Sequence, residues 1–426
     1  MRFELPTANE ELMAYVPSLM DMLGSRWSKR IDQLDSEQRR SPSLWKIVAD
    51  YHWLEMAIED CARIRRGLAD LPEANPSIGA ALRFVAGIIE VRNRVSARGQ
   101  NELDGRLRNG LKSDSGFASL YLEVEIALKL MTAGYDVTFA DLEKSGRHDL
   151  DFRIGGFVGE VECKSISVDS GRRIRRRDFY RLMASLEPMI VANERGVPGV
   201  VVVTLEGRLS PNEASSARLS AAIGEMLRKG GPRRTTGKGY RVEWRDYGEC
   251  FDTELPADGQ SMYRLCVEVF GANVHVAGAL SPRTCLLVMR SEREDDTSKP
   301  WLEAMRKAAT QLSSDRPGFI VVQFQDLATE DLLLRHLRRR AGLLSYALFG
   351  HYGAHHVNAT LMCGYGTLVA GKEDYGVPAF GVPNPKPRYP VDSSLASPFL
   401  EGISDADFAD ALGLPRPQED ISNIPF

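Results

Sequence analysis

The chain has 426 residues, more than one small core needs, which points to two or three domains. Its composition is that of a globular protein, 43% hydrophobic and 26% charged, and no apolar run approaches the roughly 18–20 residues of a membrane-spanning helix. The formal net charge of −4 excludes a globally basic nucleic-acid coat, so any such contact has to come from local patches. Six cysteines (Cys61, Cys163, Cys250, Cys266, Cys285 and Cys363) are scattered without a Cys-x-x-Cys pair. Reduced thiols fit that pattern better than disulfides or zinc, and the opening Met1-Arg2-Phe3-Glu4-Leu5-Pro6 lacks an apolar signal core. A cytoplasmic location is the expectation.

Residues from about 10 to 110 read as helical. Ser41 as N-cap and Pro42 at the first helical position would open a helix carrying Leu44, Ile47, Val48, Tyr51, Leu54 and Ile58 at three-and-four spacing. A second helix is predicted over Ile78–Val95, after breaks at Pro72 and Pro76, and Trp27, Trp45 and Trp53 read as core. The polar stretch Arg98–Ser115 reads as a boundary. A helix starting near Asp114 or Ser115 then carries Phe117, Leu120, Val124, Leu128 and Met131 on one stripe and stops at Gly134. Tyr135–Phe139 alternates as a strand, a hairpin follows, then a basic helix near Arg175–Asn193 and the apolar strand Gly199–Leu205. That order predicts an α/β (α+β mixed) fold around one mixed sheet. Beyond it, Pro211–Lys229 reads as a helix, Gly230–Gly239 as a basic loop, and Tyr240–Trp244, Tyr263–Phe270, Cys285–Met289 and Phe319–Phe324 as strands. Trp301–Leu312 and Thr329–Leu344 read as helices, and Pro383–Pro390 as an irregular tail. The expected organisation is a helical N-terminal region over 1–110, a core over 111–210 and a mixed α/β accessory region over 211–426.

The segment Arg147–Lys164, RHDLDFRIGGFVGEVECK, carries the chemistry. With Gly155-Gly156 as a two-residue turn, Ile154 faces Phe157, Asp151 faces Glu160, and Asp149 faces Glu162. Alternation then puts Leu150, Phe152, Ile154, Val161 and Cys163 on an apolar face, and Asp149, Asp151, Glu160, Glu162 and Lys164 on the other. Directly opposed residues have Cβ atoms about 5 Å apart. Carboxylates that close do not all stay ionised when buried; they need solvent or a divalent cation.

On these residues the chain resembles the PD-(D/E)XK nuclease superfamily, the restriction-endonuclease-like fold. The matching features are Glu123 on the preceding helix, Asp149 or Asp151 before the turn, and the Glu162-x-Lys164 pair. The order of elements over roughly Ser113–Leu205 is similar too, with a helix ending in Gly134-Tyr135-Asp136-Val137. His148 stands where the family often has proline. The resemblance implies a restriction-endonuclease-like core, a mixed sheet flanked by helices, and a nuclease dependent on Mg2+, for which Mn2+ can substitute. In that reading Asp149, Glu162 and the Cys163 carbonyl coordinate the ion, which polarises the phosphate and activates water. Lys164 orients the water and neutralises the transition state. Glu123, favoured over Glu125, completes the shell. Asp149 lies straight across from Glu162 and is favoured over Asp151, which stays open as an alternative. The implied substrate is nucleic acid, DNA ahead of RNA. Stand-alone chains that look like this are often bacterial antiviral-defence or restriction-type effectors, so a second copy or a companion defence protein is an implied partner. The alternative is a catalytically inactive nuclease-fold module that binds nucleic acid or scaffolds a partner.

Arg172, Arg173, Arg175, Arg176, Arg177 and Arg181 follow the lysine and would receive phosphates, with Tyr180 stacking on a base or sugar. Cations at a helix N-terminus oppose its macrodipole, which argues for a ligand-related reason. Two other motifs fail. Gly231 to Gly237-Lys238 is one residue too long for a phosphate-binding loop, and Gly239 stands where Ser or Thr should hold Mg2+. His351, His355 and His356 lack a His-Glu-x-x-His arrangement, and no Gly-x-Ser-x-Gly elbow occurs.

Overall fold

Among the described residues ahead of the first strand, the longer helices are α1 (Val16–Leu23), α2 (Ser25–Arg40), α3 (Trp53–Arg65), α4 (Pro76–Arg94), α5 (Ala97–Gly110) and α6 (Ala118–Thr132). The computed structural model describes residues 4–40, 45, 49, 51–68, 76–113, 115–193, 195–210, 213–229, 231–251, 256, 258–271, 273–278, 285–328, 335–365 and 380–392. The opening of the helix predicted from Ser41, and the first part of the one predicted from Thr329, lie outside those residues. α4 is apolar around most of its circumference, and Ala81, Leu82, Phe84, Val85, Ile88 and Val91 are all fully buried, as expected of a helix inside a core. α6 packs Val124, Leu128 and Met131 inward and stops where Gly134 adopts φ +92°, a left-handed turn that glycine takes without strain.

The stretch Arg98–Ser115, read from sequence as a boundary, is mostly α5. Ser96 caps it by accepting the Gly99 N–H at 3.2 Å, and only Leu103 and Leu107, one turn apart, are its fully buried leucines. Two leucines among arginines, asparagines and glycines make too thin a stripe to stand out.

The chain continues with β1 (Asp136–Phe139), β2 (Leu150–Ile154) and β3 (Phe157–Ile166). Next come α7 (Arg176–Ala192), β4 (Gly199–Leu205), α8 (Glu213–Leu227), β5 (Arg234–Gly237), β6 (Tyr240–Asp246), α9 (Gly259–Phe270), β7 (His275–Ala277) and β8 (Cys285–Ser291). It closes with α10 (Ser298–Gln311), β9 (Gly318–Ala328), α11 (Arg335–Tyr346), β10 (Val357–Tyr365) and β11 (Phe380–Pro383). The class is mixed α/β, as expected, but with two mixed sheets, ordered β1-β2-β3-β9-β10-β11 and β5-β6-β4-β8-β7. Two units follow. The first comprises Met1–Asp35, Ala49–Val168 and Ser298–Phe426; the second comprises Ser36–Val48 and Asp169–Thr297.

This division corrects the sequence scheme of a core over 111–210 followed by an accessory region. β4 belongs to the second sheet, and the neighbour of β3 is β9, paired in parallel from Glu160↔Gly318 to Ile166↔Phe324. Local order cannot decide this, because Gly199–Leu205 and Phe319–Phe324 are equally apolar and parallel pairing needs no short connection. Two smaller expectations also fail. Part of the Gly230–Gly239 loop is β5, joined to β6 by a tight turn with Gly239 at φ +84°. Tyr263–Phe270 lies in α9, where Met262, Cys266 and Phe270 are buried at four-residue spacing and Asp258 accepts the Ser261 N–H at 2.9 Å. The alternating Val267-Glu268-Val269-Phe270 had imitated a strand.

In the first unit the six-stranded sheet is covered on both faces. Leu150, Phe152, Val161, Cys163, Phe319 and Val321 join the core built by α3, α4 and α6. Ile320, Val322 and Phe324 point the other way, against Trp301 and Met305 of α10 and Ala341 of α11.

Candidate metal centre

β2 and β3 pair from Ile154↔Phe157 to Leu150↔Val161 and then part, while β3 runs on to Ile166. At the fork Asp149 does with its side chain what a longer β2 would do with backbone: its Oδ2 accepts the Cys163 N–H at 2.7 Å. That bond fixes a 7% exposed carboxylate in the gap between the strands. Glu162 is 1% exposed; its Oε1 pairs with Lys164 Nζ, whereas its Oε2 is buried without a hydrogen-bond partner. From α6, Glu123 accepts a bond from Arg106 of α5 at 2.5 Å, and the other terminal nitrogen of Arg106 pairs with Asp141, just after β1. Oxygens of Glu123, Asp141 and Asp149 lie within 4.8 Å of one another. Glu125 turns away, fully buried and 3.7 Å from Arg83.

The electrostatics are those of crowded, desolvated acids. Burial and the charge of Asp149 push Glu123 up to about 8, against the pull of Arg106. Burial and Asp149 also push Glu162 up to about 7, with Lys164 opposing. Burial raises Asp149 as well, although the Cys163 N–H and Lys164 pull it down. An all-oxygen donor set that includes a buried, unpartnered Oε2 fits a hard divalent cation, whose binding would replace the protons. The Cys163 thiol, its pKa raised by burial, packs into the core and is no ligand; only its carbonyl was implicated.

Comparison with protein-family models, with curated proteins and with solved structures finds no match. The reading of the centre therefore rests on its own geometry.

Of the sequence-derived residues, Glu123, Asp149, Glu162 and Lys164 are brought together. Asp151 is not. It joins a separate group with His148 and Glu160: His148 Nε2 is 3.0 Å from Asp151 Oδ1, and Arg316 bonds the same oxygen at 3.1 Å and lies 3.3 Å from Glu160 Oε1. Burial pushes Asp151 up, but His148 and Arg316 outweigh it and hold the carboxyl below its usual range. Sequence reasoning missed Arg106, Asp141 and Arg316, which come from a presumed boundary, a turn and a distant loop.

The arginine cluster lies in the second unit. Much of it is used internally. Buried Asp169 accepts the Arg176 N–H at 2.8 Å and lies 3.5 Å from the Arg172 guanidinium. Arg173 bonds Asp295 and the Glu294 carbonyl, and Arg181 sits 4.0 Å from Asp178. Asp169 and Asp178 thus answer the dipole conflict at the start of α7, without a ligand. Arg175 and Arg181 remain exposed, and Tyr180 packs edge-on against Phe179. His356 bonds the Ala309 carbonyl at 2.9 Å, and among the described residues the three late histidines form no metal-capable group.

Proposed function

We propose that this chain is a Mg2+-dependent nuclease of the PD-(D/E)XK kind, acting on nucleic acid with DNA favoured. The observation that carries the reading is the fork between β2 and β3, where Asp149, Glu162 and Lys164 meet Glu123 and the Glu162 Oε2 has no partner. Asp149 and Glu162 would hold the ion, with Glu123 completing its shell. Bound Mg2+ would supply Lewis-acid polarisation of the scissile phosphate and a nucleophile at neutral pH. Lys164, 19% exposed and next to Glu162, orients the attacking water and offsets charge on the phosphate oxygens as it grows. Arg106 holds Glu123 in place from α5. Arg175 and Arg181 are exposed on the second unit, where each offers a phosphate contact that carries no sequence information.

Purified protein incubated with plasmid, linear DNA and RNA, with Mg2+ or with chelator, tests this. Cleavage should require the ion and vanish in Lys164→Ala, while that variant still unfolds in one cooperative transition. Undiminished cleavage by Lys164→Ala would refute the assignment. A second reading, an inactive module of the same shape, draws on Arg106 and Lys164, which already neutralise part of the acidic cluster. It requires nucleic-acid binding that chelator leaves unchanged and no turnover with any divalent ion.

A further inference from the structure

We infer that His148, Asp151 and Glu160 form a second metal position, chemically distinct from the Mg2+ centre and suited to a divalent first-row transition ion. His148 Nε2 lies 3.0 Å from Asp151 Oδ1 and 4.0 Å from Glu160 Oε1, and one donor atom from each residue falls within 4.8 Å of the others. Donors about 2.0–2.1 Å from a tetrahedral ion stand about 3.3 Å apart, so these separations bracket what such an ion needs. An imidazole nitrogen with two carboxylates favours Zn2+, Mn2+ or Co2+ over Mg2+.

The three side chains are held in place independently of any ion. Asp151 and Glu160 are a paired position of the hairpin. Glu160 is fully buried and anchored through Oε2 by the Ser313 N–H at 2.7 Å, which leaves Oε1 aimed at His148 without a hydrogen bond of its own. The His148 ring sits against Gly146, where a Cβ would fall 2.6 Å from its Cε1, so the absence of a side chain there is what admits the ring. His148 itself is 5% exposed.

Arg316 is the resident countercharge. Its Nη1 bonds Asp151 at 3.1 Å and its Nε lies 3.3 Å from Glu160 Oε1, yet 40% of its side chain is exposed. A long arginine with that much solvent contact can withdraw into water as the ion enters, so the two cations compete for the same oxygens. The inference stands apart from the nuclease reading, because none of its three ligands belongs to the Asp149 and Glu162 cluster.

Co2+ titration of the metal-stripped full chain, followed by d–d absorption and calorimetry, tests it. One equivalent should give the visible band of a low-coordinate site, apart from any Co2+ taken up by the Asp149 and Glu162 centre. His148→Gln and Asp151→Asn should each weaken binding by at least about 10–100-fold. Arg316→Gln should tighten it, because the internal competitor is gone, and Glu162→Gln should leave the band intact. Absence of the band in wild type and in Arg316→Gln alike overturns the inference. So does a band lost in Glu162→Gln but kept in His148→Gln, which would assign the ion to the Mg2+ centre. Failure of cleavage in the separate nuclease assay touches neither result.

Discussion

Replacing Glu162 with glutamine should make the metal-free protein more stable, not less. Glu162 is 1% exposed and its carboxyl is driven from 4.5 to about 7 by burial and the Asp149 charge. At about 1.4 kcal/mol per pH unit, keeping it ionised in the fold at pH 8 costs about 3 kcal/mol. Because the folded pKa lies above the unfolded one, the native state binds the extra proton, and stability falls as pH rises from about 4.5 through about 7. Glutamine removes that penalty, which is already net of the attraction of the partly exposed Lys164. The gain should be about 3 kcal/mol at pH 8 and should shrink below about 1 kcal/mol at pH 5. Urea unfolding followed by tryptophan fluorescence, in chelator at both pH values, measures it. Mg2+ added at pH 8 should stabilise wild type and not the variant. A variant less stable than wild type at pH 8, or an equal difference at both pH values, would show that no buried charge is being relieved and would refute the reasoning.

Three further outcomes are expected. Arg316→Met leaves fully buried Glu160 with one hydrogen bond and a distant histidine, and should lower stability by about 2–3 kcal/mol in chelator, below the full cost of breaking a buried pair because Arg316 is 40% exposed; denaturant midpoints read this directly. Gly116→Ala should cost about 2–4 kcal/mol, since Gly116 has φ +55° and its Cβ would overlap the buried Glu55 carboxylate; a drop under 1 kcal/mol would mean the loop relaxes freely. His275 in the second unit is pushed down to about 4 by burial and by Arg172 and Arg176. Its folded pKa is depressed, so its contribution, at most about 3 kcal/mol, is present above pH 6.5 and lost as pH falls toward 4. His275→Phe should flatten that part of the stability profile.

Much of the candidate centre was legible because a hairpin is local. Two glycines fixed the turn, alternation of side chains sorted the faces, and Asp149 opposite Glu162 followed by counting. Helical geometry said only that one of Glu123 and Glu125, which diverge on either side of Val124, can face the centre; the choice of Glu123 came from the resemblance. What counting could not supply was the point at which β2 ends. Asp149 and Asp151 share a face in the sequence pattern, and only the parting of the strands after Leu150 sends one to Glu123 and leaves the other with Arg316. Arg106 and Arg316 were invisible because each reaches its carboxylates from another element, with no periodic signature. The larger misreading, β4 assigned to the same core as β3 when it lies in the second sheet, came from the same limit at longer range.

The pairing of β3 with β9 also bears on when this protein can act. Lys164 leaves the ribosome about 150 residues before Gly318, an interval of roughly 8–30 s at ordinary rates of synthesis. Throughout that time the strand bearing Glu162 lacks the neighbour that keeps it flat and buried. A half-made molecule therefore has the acids but not the scaffold, so under the proposed function no activity is expected before translation is nearly finished. Nascent chains arrested near residue 300 should bind no Mg2+ at this centre, and finished chains released from the same ribosomes should.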